Sequence, residues 1–276
     1  MITLDATVVA AAQEGSRNAL GKLVGAVQRP VFNLAIRMLG HSADAEDATQ
    51  EILIKIITRI GDLRDSGTAG AWAFRIACRH LIHTRRRGKL EAHRFTFKSF
   101  ASDLENGLEE LPDEEAEDPE TQAMIEEIKV GCTLALLTCL SRRLRAAYIL
   151  GEIFDLSDTE AASALEIDAA AFRQRLRRAR ALVSGFVQSR CGIVSSSAKC
   201  RCERRVAQAQ RLGRVEKGKR CLPTTDGPTL SIEAVRAEVE TLERDRAAAA
   251  LMRSNPSFTT DVGRLVMDAI GAESDR

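Results

Sequence analysis

The sequence predicts an all-α protein, and three observations carry that expectation. Alanine, leucine, arginine and glutamate recur at helical spacing along most of the chain, β-branched alternation is rare, and several stretches place apolar residues in one stripe at about 100° per residue. At 276 residues the chain can form one large core or two small ones. The charge distribution favours two. Ten acidic residues and no basic ones lie between Asp103 and Glu120, so the formal net charge of +1 conceals a basic remainder. With two prolines and few large apolar residues, that segment reads as a hydrated linker. We expect a first domain over residues 10–95, an acidic flexible linker over 96–125, a second domain over 126–190, and a basic, cysteine-containing extension with C-terminal helices over 191–276.

The start of the chain, MITLDATVVAAAQEG, lacks the basic first residues and apolar core of a secretory leader, and no apolar run is long enough to span a bilayer. A cytoplasmic location without membrane insertion is the expectation, and the seven cysteines should then be reduced thiols.

In the first domain, SADAEDATQEILIKIITRIGDL places Ile52, Leu53, Ile56, Ile57 and Ile60 on one apolar face. Opposite them stand Asp47, Gln50 and Glu51, with Asp44 near the helix start, where carboxylates favour the macrodipole. Such a cluster suits a solvated helix start, a protein-docking face, or metal ligation and acid–base work, although the histidines match no ligand spacing with it.

The following GAWAFRIACRHLIHTRRRGK puts Phe74, Ala77, Cys78 and Leu81 on one side of a helix and Trp72, Arg75, Arg79, His83 and Arg86 on the other, with Arg87 next to them. An aromatic ring that can stack on an unpaired base, beside cations that track phosphates, is what a single-strand binder needs. A lone tryptophan beside Ile76 is equally well explained as a core residue.

In the second domain, Leu144, Ala147, Tyr148 and Gly151 mark a helix that leads to the turn DLSD. Ser157 and Glu160 then have the spacing of a capping box, which predicts a short helix from Asp158 to about Leu165. Asp168 can cap the next helix, which carries five arginines between Arg173 and Arg180. Phe172, Leu176, Ala179, Val183 and Phe186 form its buried stripe, while Arg173, Gln174, Arg177 and Arg178 point away from it. A short helix, a turn and a basic second helix make a helix-turn-helix, whose second helix enters the major groove; a helical hairpin with a solvated basic face is the alternative.

Between Cys191 and Arg220 nine basic residues stand against two acidic ones. Cys191, Cys200, Cys202 and Cys221 make a weak candidate zinc set, because a C-x-C step is a poorer signal than C-x2-C. Arg190, Lys199, Arg201 and Arg204 are expected to lower the thiol pKa values. Ile232, Val235, Val239 and Leu242 repeat too briefly for a free coiled coil and should pack on the protein itself.

Taken in order, DAEDATQEILIKIITRI, AWAFRIACRHLIHTRRR, the acidic linker and LSDTEAASALEIDAAAFRQRLRRARALV resemble bacterial RNA polymerase sigma factors of the extracytoplasmic-function class, over roughly residues 15–190. CGIVSSSAKCRCERRVAQAQRLGRV is similar to a cysteine-containing tail in a subset of that class. The resemblance implies a sigma region 2-like bundle and a sigma region 4-like helix-turn-helix. It implies that Asp44, Asp47, Gln50 and Glu51 bind the polymerase, that Trp72, Arg75, Arg79, His83, Arg86 and Arg87 bind the melted −10 element, and that Arg173, Gln174, Arg177 and Arg178 read the duplex −35 element. The partners would be core RNA polymerase and promoter DNA, with the existence of an anti-sigma factor left open. No catalytic residue and no cofactor are expected. The chain departs from the family at Arg79 and His83, near which members often carry Asn and Asp, and in continuing from residue 191 to 276.

Two other classes remain on the residues alone. A helix-turn-helix regulator acting without polymerase leaves the acidic helix and the Trp72 face unexplained. A carboxylate- or cysteine-dependent metalloenzyme lacks every nucleophile, zincin and phosphate-loop motif.

Overall fold

The computed structural model describes residues 4–84, 89–93, 95–227 and 229–274. The first bundle is built from α1 (Ala6–Gln13), α2 (Arg17–Leu39), α3 (Ser42–Thr58) and α4 (Ala69–His83), followed by the short α5 (Lys89–Ala92). Helix α2 begins on Ser16, whose side chain accepts from the Ala19 N–H, and stops at Gly40. Gly40 takes a left-handed φ of 72°, and a Cβ there would collide with Leu90, so the turn into α3 requires glycine. Leu23, Val27, Val31 and Phe32 of α2 and Ile52, Leu53 and Ile56 of α3 are buried where these helices pack. Each such side chain contributes about 1.5–3 kcal/mol relative to exposure. Phe74, Ala77, Cys78 and Leu81 bury the predicted apolar side of α4.

The second domain comprises α8 (Pro119–Thr138), α9 (Arg142–Tyr148), a π-helical turn (Ile149–Ile153), α10 (Asp158–Leu165) and α11 (Ala169–Arg190). They are preceded by α6 (Phe97–Glu105) and α7 (Asp113–Ala116). Both predicted caps form: Ser157 and Glu160 close a capping box on α10, and Asp168 accepts from the Ala171 N–H at 2.7 Å. Phe172, Leu176, Ala179, Val183 and Phe186 are all buried.

The acidic stretch 96–125 differs from the flexible linker expected of it. It contains α6, α7 and the start of α8, with Phe100 stacked on Phe186 at 5.5 Å between centroids. Its charge is matched rather than solvated. Asp103 accepts from Arg214 at 2.9 Å, Glu110 pairs with Arg204 at 2.6 Å, Asp118 pairs with Lys217 at 3.0 Å, and Glu109 pairs with Arg211. Local composition predicted repulsion among these carboxylates; the basic extension, about a hundred residues later, supplies their countercharge.

The extension carries α12 (Val206–Arg211), β1 (Thr225–Asp226), α13 (Ile232–Glu240), α14 (Arg244–Arg253), β2 (Ser257–Phe258) and α15 (Val262–Ser274). The small antiparallel pair sets Thr225 opposite Phe258 and is the one departure from an all-helical fold among the described residues. Helix α14 packs on α11, whereas α15 packs on α2 and α3, so the extension touches both domains. Asn33 of α2 meets β2 as a strand would: its Nδ2 donates to the Phe258 carbonyl at 2.8 Å and its Oδ1 accepts from the Phe258 N–H at 3.0 Å. Ile232, Val235 and Val239 are buried, as expected of a helix packed on its own protein. No described helix is long and apolar enough to cross a membrane.

Candidate nucleic-acid interface

Helix α11 presents Arg173, Gln174, Arg177 and Arg178 to solvent, because the apolar stripe that docks it faces the opposite way. Arg173 lies 3.5 Å from Asp158 at the start of α10, an exposed pair that solvent and salt weaken. Arg180, about two turns beyond Arg173, is tied down: its Nε donates to the buried Glu152 at 2.5 Å. The free guanidiniums are thus concentrated in the first half of the helix, the part that a helix-turn-helix directs at base edges and phosphates.

The face of α4 is only partly open. His83 is exposed, but Trp72 is half-buried against the hydrophobic core, as its neighbour Ile76 is. Arg75 Nε is buried and has no hydrogen-bond partner among the described residues. Arg79 is exposed yet engaged: its Nε donates to Glu166 Oε2 at 2.9 Å and its second nitrogen pairs with Oε1. Glu166 caps α10 in the left-handed region at φ 53°, so this bidentate pair joins the two domains. The hydrogen bonds to Glu166 hold the Arg79 guanidinium pKa above its ordinary value. Arg86 and Arg87 lie outside the described residues.

Asp47, Gln50 and Glu51 are exposed on α3, and Asp44 is half-buried, with His41 Nδ1 3.2 Å from its carboxylate. Asp44, Asp47, Glu51 and His80 line one small cleft. His80 was not legible as part of this site. Lys55 Nζ donates to His80 Nδ1 at 2.6 Å, and His80 Nε2 stands 3.6 Å from Glu51. Burial first, and Lys55 second, depress the His80 pKa, so the neutral ring accepts from the lysine. The i, i+1 position next to Arg79 hid it; only the crossing of α3 and α4 brings it to the carboxylates.

The cysteine set changes membership. Cys191, Cys200 and Cys202 share one cavity, but Cys221 is exposed elsewhere, its N–H donating to Glu127 at 3.1 Å. Cys132 of α8 lines the cavity instead. The expected lowering of the thiol pKa values is overturned: burial raises Cys191 and Cys202 and takes Cys200 to about 11. Desolvation of a thiolate outweighs the nearby arginines.

Residues 23–91 match the family described as Sigma-70 region 2, and residues 131–183 match Sigma-70, region 4. ECF RNA polymerase sigma factor SigE of Mycolicibacterium smegmatis is 28% identical over 61% of this chain and 61% of its own length. RNA polymerase sigma-H factor of Pseudomonas aeruginosa is 27% identical over 67% of this chain and 94% of its own. The chain thus spans 61% of the length of the first of these relatives. The solved structure of CnrH in complex with the cytosolic domain of CnrY is similar over 67% of this chain and 97% of that one, at 23% identity and a TM-score of 0.46.

Proposed function

The chain belongs to the extracytoplasmic-function class of sigma factors, and from that premise we propose that it binds core RNA polymerase as an alternative sigma factor and directs promoter-specific transcription initiation. The observation that carries this reading is the pairing of two unlike surfaces on one chain. A groove-reading helix bears exposed Arg173, Gln174, Arg177 and Arg178, and a separate domain bears a carboxylate face and a cation-rich helix. A duplex-only regulator uses the first surface and has no use for the second. On this reading Asp44, Asp47, Gln50 and Glu51 dock on the polymerase. Trp72, Arg75, Arg79, His83, Arg86 and Arg87 hold the melted −10 strand, and the α11 arginines hold the −35 duplex. None of this requires a catalytic residue or a cofactor, and every step takes place in the cytoplasm, where polymerase and promoter are found.

The contacts between α4 and α10 bear on how the protein is controlled. Glu166 occupies Arg79, and Arg75 is half-buried, so the two domains must separate before α4 meets a DNA strand. The extension grips α2 through β2 and α11 through α14, which opposes that separation. Full-length protein with core polymerase on a genomic template library tests the assignment: promoter-dependent transcripts are expected, and their absence, with the polymerase active on another sigma factor, defeats it.

A further inference from the structure

A cavity of about 430 Å³ remains where α6, α8, the end of α11 and the extension meet. Protein interiors are packed like organic crystals and rarely keep voids larger than a water molecule. Volumes of about 300–1,000 Å³ are those of small-molecule sites, and an apolar cavity of about 150 Å³ already takes a benzene-sized ligand. The walls come from distant segments: Phe100 and Leu104 of α6, Leu136 of α8, Val187 of α11 and Val215 of the extension, all buried. Leu212 also lines the cavity but is 49% exposed, which places it at the mouth.

The lining is uncharged. Among the described residues no group of three or more His, Cys, Asp or Glu side chains is placed to hold an ion. Burial raises the Cys132, Cys191, Cys200 and Cys202 thiols, so these four stay protonated at neutral pH and pack in the wall as small hydrophobes. The charges on the border already have partners. Asp103 accepts from Arg214 at 2.9 Å and from Arg205 at 3.3 Å, Lys129 donates to the Leu230 carbonyl at 3.0 Å and to Ser254 Oγ at 3.3 Å, and Glu127 accepts from the Cys221 N–H at 3.1 Å. His41 stands 3.2 Å from the Asp44 carboxylate, and His93 stacks on Phe95. A charged ligand would lose its hydration here and find no free partner in return.

The wall also keeps a gap that helix propensity opposes. Gly131 lies inside α8, where glycine costs about 1 kcal/mol relative to alanine. It lines the cavity, and a Cβ added there would meet no packed neighbour within 4 Å. We propose that this cavity is a binding site for an uncharged, apolar organic molecule about the size of a naphthalene derivative. Because α6, α8, α11 and the extension each contribute a wall, an occupant stabilises the arrangement in which they meet. The site stands independently of polymerase and promoter binding.

Titration of the reduced full-length protein with N-phenyl-1-naphthylamine, an uncharged apolar fluorophore, tests it. One equivalent should bind saturably with enhanced, blue-shifted emission, and the thermal midpoint should rise at saturation. The sulfonated analogue of the same probe should bind more weakly by about tenfold or more, for want of a partner for its charge. Gly131→Leu fills the gap with a better helix former and should abolish saturable binding. Gly25→Gln, at an exposed glycine of α2, should bind as wild type. A titration that is linear or exceeds one equivalent overturns the proposal, as does a folded Gly131→Leu with unchanged affinity. Equal or tighter binding of the sulfonate overturns it too, in favour of an anionic ligand. Should Gly131→Leu lose its helical circular dichroism, Ala135→Leu, one turn on in the same wall, and the wild-type stoichiometry decide.

Discussion

Glu91 of α5 and Arg145 of α9 form a buried ion pair across the junction of the two sigma regions, with Arg145 Nη1 donating to Glu91 Oε1 at 2.7 Å. Arg142 Nη2 donates to the other carboxylate oxygen at 2.5 Å, and Arg145 Nη2 donates to the Thr138 and Leu140 carbonyls at 3.0 Å each. The carboxylate belongs to the region 2 match and both arginines to the region 4 match, so this cluster holds the regions together.

Glu91→Gln leaves the Arg145 guanidinium buried without its countercharge and should cost about 3–5 kcal/mol. The pH dependence follows from the same contact. Burial pushes the Glu91 carboxyl up, but Arg142 and Arg145 together outweigh it and hold the pKa below the ordinary 4.5. A carboxyl depressed in the folded state contributes its full stability above the ordinary value and loses it as pH falls through the folded one. Thermal unfolding of the wild type should therefore weaken more steeply with acid below pH 4.5 than that of Glu91→Gln. Parallel pH profiles for the two proteins would remove Glu91 from the acid response.

Glu166→Gln separates masking from stability. The Arg79–Glu166 pair is exposed, so its loss should change stability by no more than about 1 kcal/mol. Arg79 is nonetheless released for a phosphate. Fluorescence anisotropy of a labelled single-stranded oligonucleotide with the full-length protein should show tighter binding and a steeper salt dependence. The same affinity as wild type would mean that Arg79 touches no strand.

Arg173→Ala and Arg177→Ala should weaken duplex binding at the upstream promoter element in the polymerase complex. A lost bidentate base contact costs about 1–3 kcal/mol and relaxes the preference at one base pair. A lost phosphate contact lowers the salt slope by about one instead. Neither residue contributes to the buried stripe of α11, so the variants should fold normally. An unaltered upstream footprint in both would move the DNA surface off this helix.

Charge reversal at Asp47 and Glu51 should reduce association with core polymerase and leave intrinsic DNA affinity unchanged, since these carboxylates repel phosphate. Asp47 lies in the first half of α3 and Glu51 just past its middle, so a helix-stability cost of at most about 0.3–1 kcal/mol accompanies the reversal at Asp47, which circular dichroism measures separately. Wild-type affinity for the polymerase in the folded double variant would take this face out of the interface.

Interactions that close within a few residues were legible in the sequence. The capping box of Ser157 and Glu160, the Asp168 cap, the stripe from Phe172 to Phe186 and the apolar side of α4 all rest on helical spacing, and all stand in the structure as expected. The order of the two sigma regions was legible for the same reason: short motifs of fixed spacing carry it. Contacts that join distant segments were not. Composition made residues 103–120 a repelling linker, whereas Arg204, Arg211, Arg214 and Lys217 turn them into a packed, neutralised surface. His80 and Glu91 found their partners only through helix crossings, and Cys132 displaced Cys221 because α8 runs beside the loop after α11. Periodicity along one helix reports which face is apolar; it holds no information on which charge or thiol another segment brings to that face. The tertiary packing decided that, and with it that the domains matching sigma regions 2 and 4 lie against each other beneath one shared extension.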